Sequence, residues 1–219
     1  MSAKNFKNIK RGKSSDLSDV EELLAQLDEL IPQFVGSPIF KRDIFDKSNE
    51  DDYTSTLIKY FVNQDPNSRF SFESQTPLPK KRRMDIGVYV KTDSEHYILN
   101  IEAKFLPPKD YVTGEYAAIK RFKCGQHGLS NRNPAKAKLL QENVVVAYSK
   151  SGTFNQHLTK INNKIFKLAA LATPDKFGLT WDESEQLQKI NFNSTAKLKS
   201  THSRVDDSEV VLHHFWVNV

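Results

Sequence analysis

Apolar positions along this chain change their spacing several times, and each change marks an element. Val20, Leu23, Leu24, Leu27, Leu30 and Ile31 recur at helical spacing behind Ser18 and Glu21, a capping-box pair, and Pro32 closes the run. This predicts a helix whose stripe packs on the domain. The stretch "SNED" from Ser48 predicts a second helix start, and "YTSTLIKYFV" carries that helix to about Asn63. Strand-like runs follow at about 69–75, 84–90 and 97–105, with "TPLP" separating the first two and Pro107-Pro108 ending the third. A helix over 114–123, a buried strand over 142–149 and a long helix over 154–172 complete an αβββαβ order. The remainder predicts a helix near 182–190 and two strands, "TAKLKSTHS" and "EVVLHHFWVNV". The last of these is apolar on both faces and belongs inside a sheet. The expectation is an α/β fold, a central mixed β-sheet flanked by helices, with an added amino-terminal helix and carboxy-terminal strands.

Within the strands, a few polar residues break the pattern. Ile86, Val88 and Val90 share one face of the strand "MDIGVYV", and Tyr97, Leu99, Ile101, Ala103 and Phe105 share one face of the next. Asp85, Glu102 and Lys104 fall on the opposite face. Pairing Val90 with Tyr97 across the loop 91–96 also aligns Val88 with Leu99, Ile86 with Ile101, and Asp85 with Glu102. Carboxylates opposed at that distance repel, so a positive group belongs between them. Magnesium suits this, since it takes oxygen ligands from one or two carboxylates together with water and phosphate oxygens. Lys104 can then reach a bound water or phosphate. A register shifted by two residues would instead pair Asp85 with Lys104 as an ordinary salt bridge.

The second helix bears on the same site. Tyr53, Leu57, Ile58, Phe61 and Val62 define its apolar face, and Glu50 lies near the centre of that face while Asp52 points away. Asp51 and Asp52 are explained by the helix dipole alone. Glu50 shares that explanation, or is an inward carboxylate in need of a partner.

Composition narrows the class. A chain of 219 residues, 38% hydrophobic, can bury the core of one domain, read here as 17–219 behind a basic tail over 1–16. The tail carries Lys4, Lys7, Lys10, Arg11 and Lys13 and reads as a mobile solvated segment or as a nucleic-acid-binding arm. Net charge is +5 and the pI near 9.1, which suits a polyanionic partner without requiring one. Cys124, the single cysteine, excludes an internal disulfide and fits a reducing cytoplasm. No apolar segment follows the basic start, and no run approaches the roughly 18 apolar residues of a membrane span. Trp181 and Trp216 read as packing residues, and His213 and His214 as strand residues with satisfied nitrogens.

With "MDIGVYV" followed by "EAK" (102–104) inside an αβββαβ order, and Glu50 on the preceding helix, the chain resembles the PD-(D/E)XK nuclease superfamily, the restriction-endonuclease-like fold. Met84 stands where that motif has proline. The resemblance covers about 48–149 as core and implies a magnesium-dependent deoxyribonuclease, with manganese able to substitute. Asp85 and Glu102 would be metal ligands, Glu50 would complete the shell directly or through water, and Lys104 would position or help activate the attacking water. The segment "AIKRFKCGQHG" also resembles small bacterial members. Its residues Lys120, Arg121, Lys123 and His127 read either as a basic helix end that meets phosphates or as a solvated basic face. DNA is the substrate the resemblance points to, in bacterial defence, restriction or DNA processing. The alternative is a catalytically inactive nucleic-acid-binding or scaffold protein on the same fold. With no separate recognition domain, selectivity would come from the first helix, the 106–140 loops, a partner protein or a second subunit in a homodimer.

Overall fold

The computed structural model describes residues 18–219 apart from 46, 48, 79–81, 107–110, 132, 134 and 172, so the basic tail lies outside the described residues. Helix α1 (Asp19–Phe34) begins at the expected capping box, in which the Ser18 hydroxyl accepts from the Glu21 N–H and the Glu21 carboxylate accepts from the Ser18 N–H. It buries Leu23, Leu27 and Ile31, and it passes through Pro32 instead of stopping there. Proline so close to the end removes one backbone bond, while continuation buries Phe34 completely. A short helix α2 (Pro38–Asp43), not foreseen, starts from a Ser37 cap with proline at its first position.

Helix α3 (Glu50–Gln64) is capped by Asn49, whose side chain accepts from the Asp52 N–H. Tyr53, Leu57 and Phe61 are buried as predicted, but Val62 is 52% exposed and Tyr60 takes its place inside. The strand β1 (Phe70–Leu78) runs on through Pro77, where the sequence predicts a break. Proline is tolerated there because β1 is an edge strand, where a missing donor breaks no second ladder.

Strands β2 (Arg82–Val90) and β3 (Tyr97–Leu106) pair antiparallel, with Val88 opposite Leu99 and Ile86 opposite Ile101. This is the register expected from the apolar pairs, and it excludes the shifted one that would set Asp85 opposite Lys104. The predicted Val90–Tyr97 pair does not form. Tyr89 pairs with Tyr97 across an irregularity that leaves Ile98 as the extra residue. The bulge turns Tyr97 away from the face of Leu99 and into a separate cluster with Tyr89, Leu129 and Leu140.

Beyond the hairpin, α4 is only Ala118–Lys123, shorter than the 114–123 expected. The strand β4 (Glu142–Ser149) and the helix α5 (Phe154–Ala169) follow as predicted. A 3-10 turn over Glu183–Glu185 and the strand β5 (Gln188–Phe192) replace the helix predicted near 182–190. The chain ends in β6 (Thr195–Ser203) and β7 (Glu209–Asn218).

Among the described residues the strands form one seven-stranded mixed sheet in the order β1-β2-β3-β4-β7-β6-β5. The pairs β3–β4 and β4–β7 are parallel and the others antiparallel. Helices α1 and α3 cover one face through Leu99, Ile101, Val144, Val146 and Phe215. Helices α4 and α5 cover the other through Val145, Ala147, Leu198, Leu212 and Trp216. Trp216 is fully buried and Trp181 nearly so, in keeping with packing roles. His213 meets Glu142, and His214 meets both Tyr111 and Ser200. No helix among the described residues is long and apolar enough to cross a membrane.

Candidate active site

The site forms where the sheet splits. β2 stays paired with β1 down to Arg82, but its ladder with β3 ends at Ile86–Ile101. Past that point the N–H groups of β3 on the β2 side need other acceptors, since a buried unpaired N–H is costly. Carboxylates supply them. The Ala103 N–H donates to Oδ2 of Asp85 at 2.8 Å, and the Phe105 N–H donates to Oε2 of Glu50 at 2.9 Å. Asp85 therefore sits in a strand because its side chain replaces a ladder partner. Glu50 is the first residue of α3, which packs on the opposite face of the sheet, and it reaches the same gap from there.

Lys104 stands in the middle. Its Nζ lies 2.7 Å from Oε1 of Glu50, 2.9 Å from Oε1 of Glu102 and 3.8 Å from Oδ2 of Asp85. Sequence reasoning placed these four residues together, and the structure brings them together. Glu102 is completely buried and Lys104 only 6% exposed. Burial works against the ammonium charge, yet Glu102, Asp85 and Glu50 outweigh it and hold the Lys104 pKa above its ordinary value. Asp85 is pushed well above the ordinary carboxylate value by burial, by the Glu102 charge and, to a lesser degree, by Glu50. Glu102 goes the other way. Burial raises its pKa, but His127, Lys104 and Arg121 together hold it well below normal.

Two of those partners come from the segment expected to meet phosphates. Arg121 Nη1 donates to Oε1 of Glu102 at 2.6 Å, and His127 Nδ1 stands 2.9 Å from Oε2. This contact buries both atoms together and helps to hold Glu102 ionised. Asn100, a residue the sequence reading passed over, holds His127 in place. Its Oδ1 accepts from the N–H groups of Gly128 and Leu129 at 3.0 and 3.1 Å. The available signal was parity, since Asn100, Glu102 and Lys104 are alternate residues on one face of β3. Gly128 adopts φ +81°, and a Cβ there would meet Nδ2 of Asn143 at 3.1 Å, so this turn requires glycine.

The rest of the basic helix end faces inward. Lys120 is 5% exposed, with its ammonium 3.5 Å from the centre of the Phe177 ring. Lys123 is 1% exposed and bonds Oε2 of Glu185 at 2.6 Å beside Trp181. His127 is likewise buried. The expectation of a phosphate-facing or solvated basic surface is thus corrected for Lys120, Lys123 and His127. The reason is physical: Glu185, Phe177 and Glu102 give these side chains partners inside the protein that local sequence does not reveal. Arg121 alone of the four keeps some exposure while bonding a site carboxylate.

The donor set suits a hard cation. Asp85, Glu50 and Glu102 offer only oxygen and all three lie around the Lys104 ammonium, and burial followed by the Glu102 charge raises the Asp85 pKa. Among the described residues, no group of three or more His, Cys, Asp and Glu side chains is drawn close enough to hold a metal ion, and the Lys104 ammonium lies between the carboxylates. A magnesium site needs only one or two protein carboxylates, the remainder being water and substrate oxygens. Comparison with known proteins gives no matching family model, no matching curated protein and no matching solved structure.

Proposed function

We propose that this chain is a metal-dependent nuclease of the PD-(D/E)XK type that hydrolyses phosphodiester bonds, with DNA as its substrate. The observation that carries the reading is the convergence of Glu50, Asp85, Glu102 and Lys104 from three separate elements on one gap in the sheet. A salt bridge needs two groups; this gap gathers three carboxylates around one lysine. Asp85 and Glu102 would hold magnesium or manganese, with Glu50 completing the shell directly or through water. Magnesium, when bound, supplies Lewis acidity for the attacking water and for the charge that builds on the phosphoryl oxygens.

The protein's own groups do the remaining work. Lys104 Nζ, charged and held among acceptors, orients the attacking water by donating a hydrogen bond to it, and Glu50 keeps the ammonium aimed into the gap. Arg121 and His127 keep Glu102 ionised and fixed. The backbone N–H groups of Ala103 and Phe105 fix the orientation of Asp85 and Glu50. Such preorganisation is where electrostatic catalysis draws its advantage.

The test is cleavage of single-stranded DNA, duplex DNA and RNA in magnesium, in manganese and in EDTA. Wild type should cut in either metal and not in EDTA, and Lys104→Ala should not cut. Wild type that cuts no substrate in either metal would sink the reading. A second reading, an inactive nucleic-acid-binding scaffold, is favoured by the same ammonium, because Lys104 already neutralises the carboxylates without a metal. It predicts no metal-dependent rise in melting temperature. The nuclease reading predicts a gain of about 2.7 kcal/mol at a hundredfold excess of metal over its Kd, most of it lost in Glu102→Gln.

A further inference from the structure

Charge is divided between the two faces of the sheet. Helix α1 carries Asp19, Glu21, Glu22, Asp28 and Glu29 and no lysine or arginine, and α3 opens on Glu50, Asp51 and Asp52. Helix α5, on the other face, has no acidic residue, and its lysines Lys160, Lys164 and Lys167 are all exposed. None of the three is in an ion pair among the described residues, whereas Lys59, Lys104, Lys123 and Lys197 each have a carboxylate. Counted from His157 they fall at i+3, i+7 and i+10, so one flank of the helix carries all four. His157 meets the Ser149 hydroxyl at 3.0 Å, and Ser149 stands opposite Leu106, two residues beyond Lys104. Asn162, on the far flank, bonds Leu187 just before β5. The lysine flank therefore faces the β3–β4 side of the sheet, where the carboxylate gap lies.

We propose that Lys160, Lys164 and Lys167 form a backbone clamp: they hold consecutive phosphates of a nucleic-acid strand on its approach to the gap, without reading its sequence. From Lys160 to Lys167 the helix rises about 10 Å, and phosphates recur about every 3.4 Å along one strand of a duplex, so the stripe spans about three of them. An ammonium with no protein partner breaks no ion pair when it meets a phosphate, and the contact releases counterions condensed on the strand. Phosphate contacts of this kind position a strand and carry no base information. The neighbouring exposed residues are Gln156, Thr159 and Asn163, and the exposed ring of Phe166 lies about 100° or more round the helix from each lysine. The stripe thus offers single strands no stacking advantage over a duplex. A membrane surface fits less well, because an interfacial helix turns its apolar face outward and that of α5 is buried through Phe154, Ile161 and Ile165. The clamp rests on the nuclease reading only for the strand's destination; the division of charge stands apart from it.

The test measures binding of a labelled DNA duplex, and of one of its strands alone, by fluorescence anisotropy in EDTA across a series of salt concentrations. Cleavage in magnesium and in manganese is assayed in parallel. The triple variant Lys160→Gln, Lys164→Gln and Lys167→Gln should lower the salt slope by about 2.7 on the duplex and about 2.1 on the single strand, at about 0.9 and 0.7 per contact. The corresponding triple arginine variant keeps the charge and should keep the wild-type slope. Lys59→Gln removes an exposed lysine that already pairs with Asp43, and it should leave the slope unchanged. A fall of less than about 0.9 on the duplex in the triple glutamine variant, or an equal fall in Lys59→Gln, overturns the clamp. If the triple glutamine variant loses the wild-type circular dichroism spectrum, Lys164→Gln alone decides: a fall of about 0.9 supports the clamp and no fall overturns it. Lost binding to phosphatidylserine vesicles with an unchanged DNA slope overturns it in favour of a membrane surface. Wild type that binds DNA through the stripe but cuts nothing in either metal overturns the nuclease reading and leaves the clamp standing. Wild type that cuts DNA while the triple glutamine variant keeps its slope and KM overturns the clamp alone.

Discussion

The backbone N–H of Phe105 donates to Oε2 of Glu50 at 2.9 Å, two residues beyond the N–H of Ala103 that donates to Asp85. Two carboxylates thus do for β3 what a neighbouring strand would do, and in doing so they are held at the mouth of the gap. Architecture and candidate chemistry share the same atoms, so substitutions must be chosen to separate them.

Asp85→Asn keeps an oxygen for the Ala103 N–H and removes a charge that faces Glu102. Without metal it should be neutral, or more stable by about 1 kcal/mol, whereas Asp85→Ala orphans the N–H and should cost about 1 to 3 kcal/mol. Urea denaturation in EDTA would compare the two. Both variants should lose metal-dependent cleavage.

The carboxylate pKa shifts give opposite pH signatures. Asp85 is raised above 3.8 by burial and then by Glu102, so its contribution to stability is complete below 3.8 and fades as pH climbs through the raised value. Glu102 is lowered from 4.5 because its cationic neighbours overcome burial, so its contribution is complete above 4.5 and fades in acid. Denaturation at a series of pH values in EDTA should therefore show wild type losing stability on the alkaline side of 3.8. Asp85→Asn should lack that loss and keep the acid one. A curve unchanged by the substitution would place Asp85 outside the coupled cluster.

Glu50 and Asp52 both lie in the first turn of α3, but only Glu50 bonds Lys104. Glu50→Gln retains an acceptor for Phe105 and loses the ion pair, so it should cost about 1 kcal/mol of stability. It should lower turnover tenfold or more, equivalent to roughly 1.4 kcal/mol of lost transition-state stabilisation. Asp52→Asn should leave turnover unchanged. Comparable losses in both would mean that the helix dipole, and not the gap, explains the acid at position 50.

What was legible in the sequence follows from the range of the interactions involved. β3, β4 and β6 could be read because their apolar residues recur locally, and Glu50 because helical periodicity fixes its face whatever it touches. The faces of Glu102 and Lys104 followed from parity and hold in the structure, with both residues opposite β4 positions that belong to the α4 face. Tyr97 was assigned to the wrong face because one bulged residue, Ile98, inverts parity and leaves no mark in composition. β5 read as a helix because four of its five residues are exposed, so burial imposes no alternation on it. The inward turn of Lys123 was hidden because its partner Glu185 lies far along the chain, beyond any local pattern.

Asn100 tests whether the loop around His127 matters to Glu102. Asn100→Ala removes the acceptor for the buried Gly128 N–H and the part-buried Leu129 N–H, and should cost about 1 to 3 kcal/mol. Gly128→Ala should cost at least about 1 kcal/mol, since alanine is strained at φ +81° and would crowd Asn143. If His127 acts by holding Glu102, both variants should also lose turnover at a temperature where they remain folded. Full activity in folded Asn100→Ala would show that Glu102 is held by Arg121 and Lys104 alone.

Lys123 decides whether the basic helix end was rightly turned inward. The residue is 1% exposed, and its ammonium bonds Glu185, whose other contacts are His202 and the Ser203 N–H. Removing one partner of a buried ion pair strands the other charge, so Lys123→Ala should cost about 3 to 5 kcal/mol. The double variant Lys123→Met with Glu185→Gln should recover part of that, because it leaves no unpaired charge and keeps an amide oxygen for His202 or the Ser203 N–H. Binding gives the independent measure. A lysine on a phosphate contributes about 0.9 to the salt slope on duplex DNA and about 0.7 on a single strand. The folded double variant should show the wild-type slope on either substrate. A drop of that size would mean that Lys123 leaves Glu185 to meet the backbone, and that α4 rearranges when nucleic acid binds.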